Sequence, residues 1–248
     1  MNMNQMEIYG TRSIIEAIES SKEISKVYLL KSNSQQSSLT RKLLKLLEEK
    51  NIKFSFVPKE KFKKFNNKNH QGAIAILSPI SIFTIEELIK ETFEEKDSQT
   101  YLLLDGITDT RNFGAIIRTA VAANTTGIII AQNNSAPVNS DVVKTSSGSI
   151  FKIPIARVNN LKDAIIHLDS LGVKIISLSE KADKSIYEYN FDESIGIILG
   201  SESKGISKSI LNLSSETLKI PISKEIDSLN VSVAFSALIF EIIRQRKF

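Results

Sequence analysis

The sequence predicts an α/β protein in two parts: a small mixed block over 1–78 and a larger part over 100–248 in which strands and helices alternate regularly. In the larger part, short β-branched and aliphatic runs alternate with helical patterns, which is typical of a mostly parallel sheet covered on both faces. In the first block, amphipathic helices alternate with short extended runs. Pro79 breaks the preceding strand, Glu94–Thr100 is polar, and the segment 79–99 predicts a linker that carries one helix over Thr84–Phe93.

The first block contains two predicted helices and three predicted strands. Apolar residues recur at helical spacing in Thr11–Glu19 and Leu39–Glu49. The predicted strands are Lys26–Leu30, Ile52–Val57 and Gly72–Leu77. These elements predict a small α/β unit.

A basic segment at 41–68 stands out within this block. It carries ten lysines and arginines, and four phenylalanines lie between them: Phe54, Phe56, Phe62 and Phe65. Two interpretations remain open: a solvated face over a small core, or a surface that follows nucleic-acid phosphates.

The larger part predicts six strands and five helices. The strands are Tyr101–Leu104, Gly127–Ala131, Pro154–Val158, Val173–Leu178, Ile195–Leu199 and Thr217–Ile220. The helices are Asn112–Ala123, Asp141–Ser147, Leu161–Leu171, Ser207–Leu213 and Ser228–Lys247. Because ligands bind at the carboxyl ends of strands in such sheets, we expect the functional site there.

Composition excludes several classes of site. The 248 residues include no cysteine, which rules out disulfides, cysteine-ligated zinc and a cysteine nucleophile. With only His70 and His167, we expect no metal site. The sequence contains no run of about 18 apolar residues, so we expect no membrane-spanning helix. The lack of cysteine is typical of the reducing cytoplasm, so we expect a cytoplasmic protein. The net charge of +4 is compatible with a nucleic-acid partner.

The segment 105–120 contains the first candidate site. A strand ends, a polar turn follows, and a helix begins near Asn112, which is a common capping residue. Arg118 lies in the apolar run Ala115–Ala123, where Thr119 is the other polar side chain, so we expect the arginine to have a partner. The partner is either a carboxylate in a structural salt bridge or an oxyanion or phosphate at the sheet edge.

Two further segments carry unusual loops. In 196–207 a buried strand runs into a loop with Gly200, Glu202 and Gly205, and the glycines permit close approach of a ligand. This loop matches neither a Walker A sequence nor a dinucleotide fingerprint, and Glu202 could also cap the following turn. In 220–234, Ser228 is a natural cap for a helix that is apolar on nearly all sides, which predicts deep burial or a subunit interface. Asn230 and Ser232 are polar exceptions at its start.

Together the three segments resemble the SpoU-type (TrmH/RlmB-like) RNA 2′-O-methyltransferases of the knotted SPOUT superfamily. The resemblance runs from about residue 101 to the C-terminus and rests on these stretches: Asn112-Phe113-Gly114 to Arg118-Thr119-Ala120, Lys144-Thr145-Ser146-Ser147-Gly148, Leu199-Gly200-Ser201-Glu202 with Gly205, and Ile220-Pro221 through Ser228-Leu229-Asn230-Val231-Ser232-Val233. The first block is similar to the substrate-binding domain of RlmB-type members, through Tyr9-Gly10 and His70-Gln71-Gly72.

The resemblance implies a trefoil-knotted domain with a mostly parallel sheet, preceded by a small α/β substrate-binding domain. It implies S-adenosylmethionine as cofactor, held largely by backbone groups near Gly200, Ile220 and Leu229. It also implies a homodimer, with the last helix contributing to the interface, and methylation of an RNA ribose 2′-hydroxyl.

The resemblance assigns catalytic roles to five residues: Asn112, Arg118, Glu202, Ser228 and Asn230. Arg118 would remove the 2′-proton or stabilise the developing alkoxide, and free guanidine is scarce near neutral pH. The two asparagines would orient ribose and cofactor, Glu202 would fix Arg118 or the loop, and Ser228 would cap the last helix. Ser203 and Lys224 depart from the family pattern, which often has glycine at both positions.

Several functions remain open. The additional first block favours a guanosine of 23S rRNA as substrate over tRNA, since minimal tRNA-type enzymes generally lack such a domain. A tRNA or resistance-type rRNA methylase and a non-catalytic RNA-binding paralogue in ribosome assembly are the alternatives. An oxidoreductase is disfavoured because no dinucleotide fingerprint follows any predicted strand.

Overall fold

The computed structural model describes residues 5–31, 37–93 and 98–247. Residues 1–4 and 32–36 of the predicted first block, 94–97 of the predicted linker and 248 of the predicted second part lie outside it. In chain order the elements are β1 (Met6–Tyr9), α1 (Thr11–Glu19), β2 (Ile24–Leu30), α2 (Ser38–Glu49), β3 (Phe54–Val57), β4 (Ala73–Leu77), α3 (Ile85–Thr92), β5 (Thr100–Asp105), α4 (Thr110–Ala122), β6 (Gly127–Ala131), α5 (Ser140–Thr145), β7 (Ile155–Val158), α6 (Leu161–Ser170), β8 (Lys174–Leu178), β9 (Lys184–Ser185), β10 (Ile195–Gly200), α7 (Lys208–Leu211), β11 (Glu216–Lys219) and α8 (Val231–Lys247). Short 3-10 helices cover Lys59–Phe65, Ser149–Lys152 and Ile186–Glu188.

The chain folds into two compact units. The first comprises the chain up to Ile80 together with Val138–Lys152, and the second comprises Ser81–Pro137 and the chain from Ile153 onward. The segment that carries α5 thus belongs to the first unit, although it lies between β6 and β7 of the second unit's sheet in sequence.

The first unit is built on a sheet that, in the described residues, has four strands in the order β1-β4-β2-β3. Strand β4 is antiparallel to both β1 and β2, and β3 is parallel to β2. The three predicted strands are confirmed, whereas β1 was missed because its four residues are too few to show a period. Helix α5 packs on β1, where the Tyr9 hydroxyl donates to Asp141 Oδ1 at 2.7 Å.

The second unit is built on a sheet whose described strands follow the order β7-β6-β5-β10-β8-β11-β9. Every adjacent pair in it is parallel. The predicted mostly parallel sheet is therefore confirmed. All the carboxyl ends of these strands lie along one edge, as a parallel arrangement requires.

The core of the second unit lies beside the central strands. Leu103, Ile129 and Ile198 are fully buried on β5, β6 and β10. Helix α3 lies in the predicted linker, as expected. Thr84 caps it through a capping box with Glu87. The helix packs Leu88 into the core of the second unit. The helix is therefore part of the second unit's core.

Helix α8 begins at Val231, three residues later than predicted. Its apolar residues are not all buried, since Val233 and Phe240 are each 52% exposed. Near its other end, Arg244 donates two hydrogen bonds of 2.8 Å to the buried Glu241. None of the helices within the described residues is long and apolar enough to cross a membrane.

The substitution Leu103→Ala tests the central core. Because Leu103 is fully buried, removing its side chain leaves a cavity, and we expect a loss of about 2–5 kcal/mol in the free energy of unfolding. Leu171→Ala is the matched control in the same unit, since Leu171 is 37% exposed. Urea denaturation followed by circular dichroism measures both, and equal losses would contradict this core assignment.

The ion pair in α8 predicts a pH dependence. Hydrogen bonds from Arg244 lower the pKa of Glu241 from 4.5 to about 2. A lowered folded-state pKa means that the stabilisation is present above about pH 4.5 and is lost as the pH falls toward 2. Over this interval we expect the urea midpoint to fall less steeply in Glu241→Gln than in the wild type. Parallel pH profiles of the two proteins would contradict the prediction.

Candidate active site

The three segments singled out in the sequence meet at one edge of the second unit's sheet. Strands β5 and β10 are parallel neighbours, and their last residues, Asp105 and Gly200, are register partners. The loops that follow them therefore begin side by side. The carboxylate of Asp105 accepts a hydrogen bond from the backbone N–H of Ser207 at 2.9 Å, which ties the two loops together.

Asn112, Glu202 and Asn230 form a hydrogen-bonded cluster at this edge. Glu202 Oε1 accepts from Asn112 Nδ2 at 2.9 Å and from Asn230 Nδ2 at 2.6 Å. Asn230 Nδ2 also lies 3.0 Å from Asn112 Oδ1, which accepts from it. Each residue comes from a different segment, so one carboxylate oxygen joins all three.

The caps of the two helices differ from the prediction. Asp109 caps α4 by accepting from the N–H groups of Arg111 and Asn112 at 2.7 and 2.9 Å. Asn230, and not Ser228, occupies the position before α8, where its Oδ1 accepts from the Ser232 N–H at 2.9 Å. The prediction of Ser228 as the cap was wrong because the helix begins only at Val231, so residues 228–230 precede it. Asn112 is then free to hydrogen-bond outside its own helix.

A first cavity of about 260 Å³ lies beside the cluster. Its walls come from the ends of β8 and β10, the loop 201–206 and the segment 220–234, and it includes all three residues predicted to hold a cofactor: Gly200, Ile220 and Leu229. Ser228 also lines it. The lining mixes aliphatic side chains with serines, glycines and charged residues, a combination found in small-molecule sites.

Gly200 permits a close approach that no other residue could allow. A Cβ at this position would collide with the backbone of Gly205 and Ile206. Gly205 itself has a φ of +65° and donates its N–H to the Ser201 carbonyl at 2.8 Å. The two glycines together fold the loop 201–205 back onto the end of β10.

A second cavity of about 600 Å³ adjoins the first. Polar residues in its lining include Asp105, Asp109, Asn112 and Asn134. The loop 201–205 lines both cavities, and Glu202 therefore faces each of them.

Arg118 has no carboxylate partner among the described residues, which bears on one of its two predicted partners. One face of α4 buries Phe113 and Ile117, and another packs on α8, where Thr119 Oγ1 lies 3.3 Å from Ser236 Oγ. Arg118 lies on the remaining, exposed face, with no hydrogen bond or ion pair to the residues that the structure describes. The salt-bridge interpretation is therefore wrong within the described residues, because an apolar sequence does not show that every face of a helix is covered, whereas the oxyanion or phosphate interpretation stays a prediction.

The sequence analysis missed other residues of the site. Glu180 and Lys181 line the first cavity from the loop after β8. Their signal was present, since polar residues directly follow a predicted strand whose carboxyl end lies at the functional edge. No group of three or more possible metal ligands occurs within 5–31, 37–93 and 98–247.

Two family models match the chain. Residues 99–240 match the SpoU rRNA methylase family, and residues 8–83 match the domain described as RNA 2′-O ribose methyltransferase substrate binding. The first match covers more than half of the chain and contains Asn112, Glu202 and Asn230.

Relatives match over nearly their whole length. A Mycoplasma pneumoniae protein named as an uncharacterized tRNA/rRNA methyltransferase is 34% identical over 238 residues, which are 94% of this chain and 95% of the relative. A Staphylococcus aureus protein whose name places it in the TrmH family of tRNA/rRNA methyltransferases is 31% identical over 98% of both chains.

Solved structures show the same fold. The SpoU methyltransferase AviRb from Streptomyces viridochromogenes, in complex with the cofactor AdoMet, has a TM-score of 0.80 and 22% identity, over 98% of this chain and 90% of that one. The AdoMet-bound rRNA methyltransferase from Sinorhizobium meliloti has a TM-score of 0.78 and 22% identity, over 97% and 87%. With the shared fold, the family match and the cluster at the sheet edge in agreement, this chain belongs to the SpoU rRNA methylase family of RNA methyltransferases.

Proposed function

We propose that the chain transfers a methyl group from S-adenosylmethionine to a ribose 2′-hydroxyl of RNA, with a guanosine of 23S rRNA as the first candidate. The observation that carries the proposal is the cluster of Asn112, Glu202 and Asn230 at the boundary of two adjoining cavities, both of which Glu202 lines. A methyl donor and an RNA ribose need two such adjoining sites.

The first cavity suits S-adenosylmethionine. Gly200, Ile220 and Leu229 supply a narrow wall of backbone and aliphatic groups, and Glu180 adds a carboxylate that could accept from ribose hydroxyls. The bound cofactor would supply an electrophilic methyl group on its sulfonium. Ser228, which also lines the cavity, would support the loop before Leu229.

Glu202 is the positioning residue in this proposal. By accepting from both asparagine amides, its carboxylate fixes the direction in which Asn112 presents its second Nδ2 hydrogen and the free side of its Oδ1. Asn230 is fully engaged with Glu202, Asn112 and Ser232 and holds the cluster together. Those Asn112 atoms would orient the ribose and the cofactor, and orientation supplies much of the rate of such a transfer.

Arg118 would stabilise the developing alkoxide or accept the 2′-proton. Its exposure bears on whether it acts at the cavities of its own chain or at those of a second copy. Arg118 does not line either cavity of its own chain. Arg118 is exposed on α4, Val233 and Phe240 are exposed on α8, and these two helices pack together and present such side chains on their exposed surface. We propose that this surface pairs two copies in a homodimer and brings Arg118 of one copy to the cavities of the other.

Three further expectations remain proposals of the family resemblance. They are the trefoil knot, a cytoplasmic location, and the division into a substrate-binding domain over 1–78, a linker over 79–99 and a methyltransferase domain over 100–248. The substrate-binding match over 8–83 supports RNA as the partner of the first unit. tRNA is the second candidate substrate, since the names of the relatives include both kinds of RNA.

Labelled methyl transfer tests the reaction and its substrate. With methyl-labelled S-adenosylmethionine, we expect incorporation into large-subunit rRNA and little into tRNA, and nuclease mapping should find 2′-O-methylguanosine. Incorporation into tRNA would select the second candidate instead. Label on a base, or none on either RNA, would overturn the proposed reaction.

Two variants separate the roles of the site. Arg118→Ala should lower methyl transfer by about 10²-fold or more while calorimetry shows nearly unchanged cofactor affinity. Leu229→Arg should weaken cofactor binding, because a long charged side chain enters the first cavity. Arg111→Ala is the matched control, an exposed arginine two turns earlier on α4. Near wild-type turnover in Arg118→Ala would refute its role.

Mixed dimers test whether Arg118 acts on the other copy. Arg118→Ala and Leu229→Arg chains with different tags are co-expressed, and the mixed dimer is isolated by tandem purification. If Arg118 serves the partner's cavity, one of the two sites is intact, and about half of the wild-type activity per dimer should return. If Arg118 serves its own cavity, each site carries one defect and the mixed dimer stays inactive.

A further inference from the structure

The four-stranded sheet of the first unit has an open patch that is distinct from the cavities described above. We propose that this patch, formed by Lys26, Tyr28 and Lys61 and called here the Tyr28 patch, binds a single-stranded stretch of RNA. The proposal rests on RNA being the substrate, and it names the surface of the first unit that contacts it.

The strand register defines the face on which the patch lies. On β2, Val27 and Leu29 are buried on one face, whereas Lys26 and Tyr28 point to the other, where both remain half-buried. The 3-10 helix Lys59–Phe65 covers part of this second face by packing Phe62 and Phe65 against Tyr9 and Ile74. Its cover does not extend fully over Tyr28.

Two ammonium groups converge on the Tyr28 ring. Lys26 Nζ lies 5.1 Å and Lys61 Nζ 5.4 Å from the ring centroid, which are cation–π distances. In the described part of the chain, neither lysine has a carboxylate within 4.0 Å, although nearby lysines do: Lys42 pairs with Glu19 and Lys64 with Glu7. Two like charges gathered without a counter-charge create a position suited to an anion.

Charge around the patch favours a polyanion. The segment 59–68 contains five lysines and one glutamate. RNA supplies a phosphate at every nucleotide, so a chain crossing the patch would place phosphates near Lys26 and Lys61.

The aromatic ring favours an unpaired base. A base that stacks on the Tyr28 ring would displace the ammonium groups that now lie over it, and the displaced lysines would hold the flanking phosphates. Bases in an RNA duplex are stacked within the helix and cannot reach such a ring. The combination of ring and cations therefore indicates single-stranded RNA.

Fluorescence anisotropy with the full chain tests the patch. The probes are a labelled single-stranded oligouridylate 12-mer and a duplex RNA of the same length. Tyr28→Ala should weaken single-strand binding by about tenfold, whereas Tyr28→Phe keeps the stacking surface and should bind as the wild type. Duplex binding should change little in either variant.

The lysines predict a change in salt dependence. The logarithm of the RNA-binding constant falls linearly with the logarithm of the salt concentration. For single strands, each lost phosphate contact reduces the magnitude of this negative slope by about 0.7, and we expect this reduction in Lys26→Gln and in Lys61→Gln. Two matched controls should leave both affinity and slope unchanged. Phe56→Ala removes a 49% exposed aromatic that is the register partner of Leu29 and so lies on the other face. Lys45→Gln removes a lysine of α2 that already has a carboxylate, Glu49, at 3.6 Å.

The outcomes separate this inference from the proposed function. The inference is overturned if the wild type does not bind the single strand, if Tyr28→Ala and the lysine variants bind it as the wild type does, or if the controls lose as much. Methyl transfer is measured on the same preparations as a function of rRNA concentration up to saturation. Tyr28→Ala should raise KM and leave kcat nearly unchanged. Absence of transfer in the wild type would instead refute the proposed function, and the binding result would stand by itself.

Discussion

The parallel pairing of β5 with β10 is the constraint on which the candidate site depends. It places the last residues of the two strands, Asp105 and Gly200, at the same level of the sheet although they are far apart in sequence. Each strand is buried, so the register is fixed by many apolar contacts and not by the loops themselves. The loops can therefore carry polar residues chosen for chemistry, because the sheet below them determines where they meet.

The same constraint explains how much of the fold could be predicted. The strands of the second unit are continuous apolar runs, and a continuous run indicates a strand buried on both faces without reference to its neighbours. Strand β1 could not be found in this way, because Met6–Tyr9 is short and gains its place through pairing with β4. The affiliation of the α5 segment with the first unit likewise depends on contacts distant in sequence, such as that of Tyr9 with Asp141.

The candidate site was predictable to a different degree for each residue. Asn112, Glu202 and Asn230 were recognised through their joint family pattern, and no local pattern indicated that a single oxygen of Glu202 would join them. The capping roles were misassigned because aspartate, asparagine and serine all favour helix starts, and the backbone decides among them. For Arg118 the residue itself was predictable and its surroundings were not. The apolar composition of the helix identified the arginine as unusual, but it could not show which helix face the residue occupies.

The loop 201–205 borders both cavities, and this position couples them thermodynamically. A ligand that shifts the loop when it enters one cavity must change the affinity of the other cavity, and the second ligand then changes the affinity for the first by the same factor. The backbone packing of Gly200 against Gly205 leaves the loop little room for independent adjustment on its two sides. In the proposed function, binding of the methyl donor in one cavity and of RNA in the other is therefore expected to be cooperative through this loop of five residues.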